Sequence, residues 1–100
     1  MCAIFGIIGK TDKVLINKIS SSQLFRGPDS QENYINEEKL FCLGNNRLAV
    51  IDEKGGKQPM YSQDKKNLVV FNGAIYNFKE IREYLKKKGI DFHTDSDTEV

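Results

Sequence analysis

Met1-Cys2-Ala3-Ile4-Phe5-Gly6-Ile7-Ile8-Gly9 opens the chain. Ala3 to Ile8 is apolar with no polar alternation, which predicts a strand buried on both faces, central in its sheet. Cys2 stands at the head of that strand. If Met1 is removed, Cys2 becomes the terminus and one residue carries both a thiol and a free α-amine. Free α-amines titrate at roughly pH 7.7–8.0. Such an amine can act as a base for its own thiol, so no histidine is required. The plainer alternative is a small buried hydrophobe at a strand start, the usual fate of a free cysteine.

Outward from this stretch the chain reads as one small soluble globular domain or part of a larger one. It has 100 residues, 39% apolar and 29% charged, which suffices for a single core. Fifteen basic and 14 acidic residues leave a net charge of +1, so nothing in the charge implies a nucleic-acid or membrane-surface partner. Lys86-Lys87-Lys88 is the only basic run and reads as a solvated helix end. No apolar stretch approaches the ~20 residues of a membrane span, and none has the form of a signal peptide. Two distant cysteines and one histidine make neither a disulfide framework nor a metal site. A cytoplasmic protein with reduced thiols is expected. There are no repeats, linkers or low-complexity segments.

After the Gly9-Lys10 turn, Thr11 or Asp12 can cap a helix running to about Ser22, with Val14, Leu15 and Ile19 inward. Phe25-Arg26-Gly27-Pro28-Asp29 is a loop. Residues 31–35 and 39–43 predict a strand pair, with Cys42 in the core. Gly44-Asn45-Asn46 predicts a break, and residues 47–52 a further strand opened by Arg47. That arginine suits either a structural acid or a carboxylate ligand held in a bidentate fork. Asp64-Lys65-Lys66-Asn67 is a charged hairpin tip. Leu68-Val69-Val70-Phe71 predicts a central strand, ending at Asn72-Gly73. A helix follows, with Asn77 and Glu80 as a capping box, Phe78, Ile81 and Leu85 as its apolar face, and Gly89 as its stop. Residues 90–92 predict a strand. Ser96-Asp97-Thr98-Glu99-Val100 reads as a helix entry. A helix signal at the last residues leads us to expect a chain cut from a longer protein.

Five pieces occur in order: Met1-Cys2-Ala3-Ile4-Phe5-Gly6, Arg26-Gly27-Pro28-Asp29, Arg47-Leu48-Ala49-Val50-Ile51-Asp52, Asn72-Gly73-Ala74-Ile75-Tyr76-Asn77 and Ser96-Asp97-Thr98-Glu99-Val100, with Gln58-Pro59-Met60 between the third and fourth. Together they resemble the N-terminal glutaminase domain of class II glutamine amidotransferases, most closely the glutamine-hydrolysing asparagine synthetases. On this resemblance residues 1–100 are the N-terminal part of a type-2 glutamine amidotransferase domain, and the synthetase domain lies outside the chain. The implied fold is the α+β, layered αββα sandwich of N-terminal-nucleophile hydrolases, here incomplete, with two mainly antiparallel sheets and flanking helices.

The resemblance implies catalysis by Cys2 as nucleophile, with Asn72 and Gly73 as oxyanion donors. It implies substrate binding by Arg47 on the α-carboxylate of L-glutamine and by Asp97 on its α-ammonium, with Arg26 in a supporting loop. Ammonia released through a Cys2 thioester would feed a ligase-type amidation in the synthetase domain. ATP and magnesium belong to that domain; this segment is expected to hold no cofactor or metal. Ala74 departs from the pattern, which has Glu there to help hold the substrate ammonium. Phe25 and Asn45 stand where histidine is usual, and Ala3 where glycine is frequent. These departures leave open a weakened or inactive relic serving as a structural module, and a glutaminase domain from another amidotransferase branch.

Overall fold

In the computed structural model, which describes residues 2–50, 52 and 54–100, the opening apolar run becomes strand β1, Ala3–Ile8. It pairs antiparallel with β3, Phe41–Arg47, from Ala3 opposite Asn46 to Ile8 opposite Phe41. Strand β2, Ser30–Asn36, pairs with the other side of β3, so the sheet order is β1-β3-β2. A two-stranded ribbon, β4 (Met60–Tyr61) with β5 (Leu68–Val69), is the second sheet. The edge of the Tyr61 ring meets Tyr34 of β2 at a centroid distance of 5.5 Å, bringing the two sheets together. With helices α1 (Lys13–Ser22) and α2 (Phe78–Lys87), the class is α+β.

The expected central, doubly buried β1 is corrected. β1 is an edge strand of its sheet, and its exposure alternates: Ala3 is buried while Ile4 is exposed and Ile8 is 91% exposed. No described element covers the outward face, so its apolar residues meet solvent. The centre falls to β3, which is buried from Gly44 to Arg47. That run was expected to break the chain at Gly44-Asn45-Asn46. It continues as strand because the Phe5 ring lies flat on Gly44, where an added β-carbon would sit 2.1 Å from Cζ. Only a residue without a side chain permits that approach.

Buried Asn46 holds this centre by satisfying both ends of its amide. Asn46 Nδ2 donates to the Ser20 carbonyl at 2.6 Å, and the Ser20 hydroxyl donates to Asn46 Oδ1 at 2.9 Å, which ties α1 to β3. The serine run is therefore the docked end of α1. At its start Asp12 is the cap, accepting from Val14 N at 3.0 Å and Leu15 N at 3.1 Å. Such a cap contributes about 1 kcal/mol. The inward residue is Ile16, with Leu15 and Ile19 half-buried and Val14 64% exposed. The docking point at Ser20 turns the helix one residue from the face that apolar spacing suggests. Cys42 is fully buried, as expected, and burial pushes its thiol up.

Helix α2 lacks the expected capping box: the Asn77 side chain makes no cap bond. A preceding turn replaces it, Phe78 N donating to the Ile75 carbonyl at 3.1 Å. The C-terminus follows expectation, with Lys86 and Lys87 in the last turn and Gly89 at φ +89°. The buried residue of α2 is Arg82. Its guanidinium lies 4.6 Å from the Phe92 ring centroid and donates to the carbonyls of Thr94 at 2.6 Å and Ser96 at 2.9 Å. Residues 90–92 therefore form no strand; the segment is held by an arginine. Two further strands are shorter than expected. Leu48, Ala49 and Val50 leave the sheet after Arg47, and Ile51 lies outside the described residues. β5 stops at Val69 because β4 offers only two residues to pair with.

Candidate active site

The register of β1 on β3 brings Cys2 beside the end of β3, where Arg47 sits. Leu48 N donates to Cys2 Sγ at 3.4 Å, and the thiol reaches the Leu48 carbonyl at 3.6 Å.

Arg47 is almost fully buried. Its Nη2 donates to the Asp52 carbonyl at 2.6 Å. Gly56 makes room for the guanidinium: a β-carbon there would stand 2.6 Å from Nη2. The backbone around Arg47 is pinned by Asp29. Asp29 N donates to the Arg47 carbonyl at 3.0 Å, and Asp29 Oδ2 accepts from Ala49 N at 2.8 Å. Asp29 lies in the same loop as Arg26, for which a supporting role was expected. Arg26 is exposed and stands apart from the residues lining the cavity described below.

Asp52 closes the loop beneath Arg47. Its carboxylate accepts from Gly55 N and Asp95 N, each at 2.8 Å, and those two backbone donors hold it below the usual carboxylate range. The bond to Asp95 fixes the segment carrying Asp97. Asp97 is 5% exposed and opens a short 3-10 helix, Asp97–Glu99, capped by Ser96. Its Oδ2 accepts from Ile75 N at 2.9 Å, which ties the Asn72–Tyr76 segment to it.

Cys2, Arg47, Asn72, Gly73, Ala74 and Asp97 line one cavity of about 380 Å³, shared with Gln58 and Thr98 among others. That volume is at the small end for ligand pockets, suited to a single amino acid. A nucleophile, a cation, a carboxylate and an amide with an adjoining backbone N–H meet there. A larger cleft of about 800 Å³ runs between Met60–Asn67 and Ile90–Val100 but holds none of these groups. The candidate side chains converge on the smaller cavity.

Gln58 carries no role in the sequence reading beyond membership of a matching string, yet it is buried in the wall of this cavity. Arg82, which has no role in the sequence reading, holds the loop that delivers Asp97. The available signal was a polar residue interrupting an apolar helix face.

A family model described as "Glutamine amidotransferase domain" matches residues 1–100. The whole chain is 39% identical to asparagine synthetase [glutamine-hydrolyzing] 1 of Bacillus subtilis (strain 168), covering 17% of that protein. It is also 39% identical to asparagine synthetase [glutamine-hydrolyzing] 1 of Arabidopsis thaliana, covering 17%. To asparagine synthetase B [glutamine-hydrolyzing] of Escherichia coli (strain K12) it is 38% identical, covering 18%. The chain thus spans about a sixth of the length of these relatives.

Proposed function

The chain belongs to the glutamine amidotransferase domain family, and from that membership we propose that it hydrolyses the side-chain amide of L-glutamine at Cys2. The observation carrying this reading is the meeting of Cys2, Arg47, Asn72, Gly73 and Asp97 around one cavity. Arg47 takes the α-carboxylate and Asp97 the α-ammonium, which selects a free amino acid over a glutamine inside a peptide. With Met1 removed, the Cys2 α-amine accepts the thiol proton. The thiolate attacks the amide carbon, and the oxyanion receives hydrogen bonds from the Asn72 side-chain amide and the Gly73 N–H. Removing one such donor typically costs about 2.7–4 kcal/mol of transition-state stabilisation.

Collapse of this intermediate breaks the C–N bond. The ammonium form of the α-amine returns its proton to the leaving nitrogen, and ammonia departs, leaving a Cys2 thioester. Water then attacks the thioester carbon, the α-amine taking one of its protons, and glutamate leaves as the thiol is restored.

In this reading the ammonia passes to an asparagine synthetase-type domain of the full-length protein, in the cytoplasm. ATP and magnesium would act in that domain, and no step assigned to this chain runs through them. The complete domain would be the layered αββα sandwich; the uncovered apolar face of β1 supports that expectation. The test is ammonia release from glutamine by the full-length protein and its Cys2→Ala variant. Release by the wild type alone supports the proposal; equal release from both ends it.

Ala74 supports a second reading, a relic with a damaged ammonium pocket. It lines the cavity without a carboxylate. Ala74→Glu should lower the KM for glutamine by about tenfold, the value of one charge-assisted hydrogen bond. A KM that stays level or rises would show that position 74 does not face the ammonium.

A further inference from the structure

Gln58 is 6% exposed, and its amide works in two directions. Its Oε1 accepts from Phe71 N and from Asn45 Nδ2, the latter at 3.2 Å. Its Nε2 donates to Thr98 Oγ1 at 3.2 Å. Phe71 immediately precedes Asn72, and Thr98 immediately follows Asp97. One side chain therefore bonds to the neighbours of both the oxyanion donor and the ammonium carboxylate.

The Phe71 N–H needs this partner. β5 ends at Val69, so no ladder bond reaches it, and a buried N–H without an acceptor is costly. The Asn45 amide, itself buried in β3, donates to the same Oε1 and fixes which end of Gln58 faces the Asn72 segment. The amide accepts at one end and donates at the other. A carboxylate would hold Thr98 only by reversing that bond, with the Thr98 hydroxyl donating, and an apolar side chain lacks both groups.

We infer that Gln58 is a positioning residue that sets the spacing between the Asn72–Gly73 oxyanion donors and the Asp97 ammonium site; this rests on the glutaminase reading above. Substrate glutamine spans that spacing, with its reacting carbonyl at one end and its α-ammonium at the other. A shift of about 1 Å between such groups can cost 10²-fold in rate. The two arms of the amide predict separable effects: the Thr98 arm acts on substrate binding, and the Phe71 arm acts on the chemical step.

Kinetics of the full-length protein with glutamine test this. Thr98→Val removes the acceptor at constant shape and should raise KM about tenfold while kcat stays within about twofold, the size of one lost hydrogen bond. Thr98→Ser keeps a hydroxyl and should recover most of that loss. Gln58→Met cuts both arms and should lower kcat by about tenfold as well as raising KM. The double variant should be no worse than Gln58→Met alone, since both changes break one connection. If Gln58→Met does not fold, the Thr98→Val and Thr98→Ser pair decides by KM. An unchanged KM in Thr98→Val, or losses that simply multiply in the double variant, overturns the inference while the glutaminase reading stands. A wild type releasing no ammonia from glutamine removes both.

Discussion

An N-terminal extension that keeps Cys2 in peptide linkage should reduce glutamine hydrolysis by about 10²–10⁴-fold, although the thiol remains in the chain. A peptide nitrogen has no basic lone pair, so such a protein has lost its proton carrier. General acid–base catalysis alone is worth about 10²–10⁴-fold. The described residues offer no obvious substitute base: the cavity lining contains no histidine, and its acid, Asp97, accepts a backbone N–H from Ile75. Proteolytic removal of the extension should restore the rate, which separates this effect from misfolding. Mass spectrometry gives the converse check. An active protein still carrying Met1 would mean that the Cys2 amine is not the base.

Arg47→Met should lower kcat/KM for glutamine by about 10²–10³-fold, chiefly through KM, because truncating one partner of a buried charge pair costs about 2–5 kcal/mol. Arg47 also donates to the Asp52 carbonyl, so the substitution removes a structural bond as well. Substrate choice separates the two causes. The wild type should strongly prefer glutamine over glutamine amidated at its α-carboxyl, since only the former offers Arg47 an anion. In Arg47→Met that preference should collapse, as neither substrate has a cationic partner. A variant that turns over poorly yet keeps the wild-type preference would show that Arg47 shapes the cavity without touching the carboxylate.

Local patterning carried much of the fold. Gly89 stops α2, Asp12 caps α1, and the charged string at Asp64–Asn67 makes the tip between β4 and β5. Each depends on chemistry among residues a few positions apart, which is why a reading along the chain finds them. The failures share an opposite cause. Gly44-Asn45-Asn46 has the composition of a turn, and only the Phe5 ring and the Ser20 contacts make it the buried middle of a sheet. Ile4 and Ile8 have the composition of a core and are exposed, because burial depends on what another element places over them.

The same division applies to the site. By itself the order of the motifs determined the family and the residue types expected around an amino acid, because those are properties of side chains and of their succession. Tertiary structure alone decided that Cys2, Arg47, Asn72, Gly73 and Asp97 share one cavity while Arg26 stands outside it. It alone made Asp29, Gln58 and Arg82 the supports. Their work is to satisfy backbone groups up to 20 residues away in the chain, as Asp29 does for Ala49 N and Gln58 for Phe71 N. Nothing in a linear string says which distant carbonyl or N–H will lack a partner once the strands have paired.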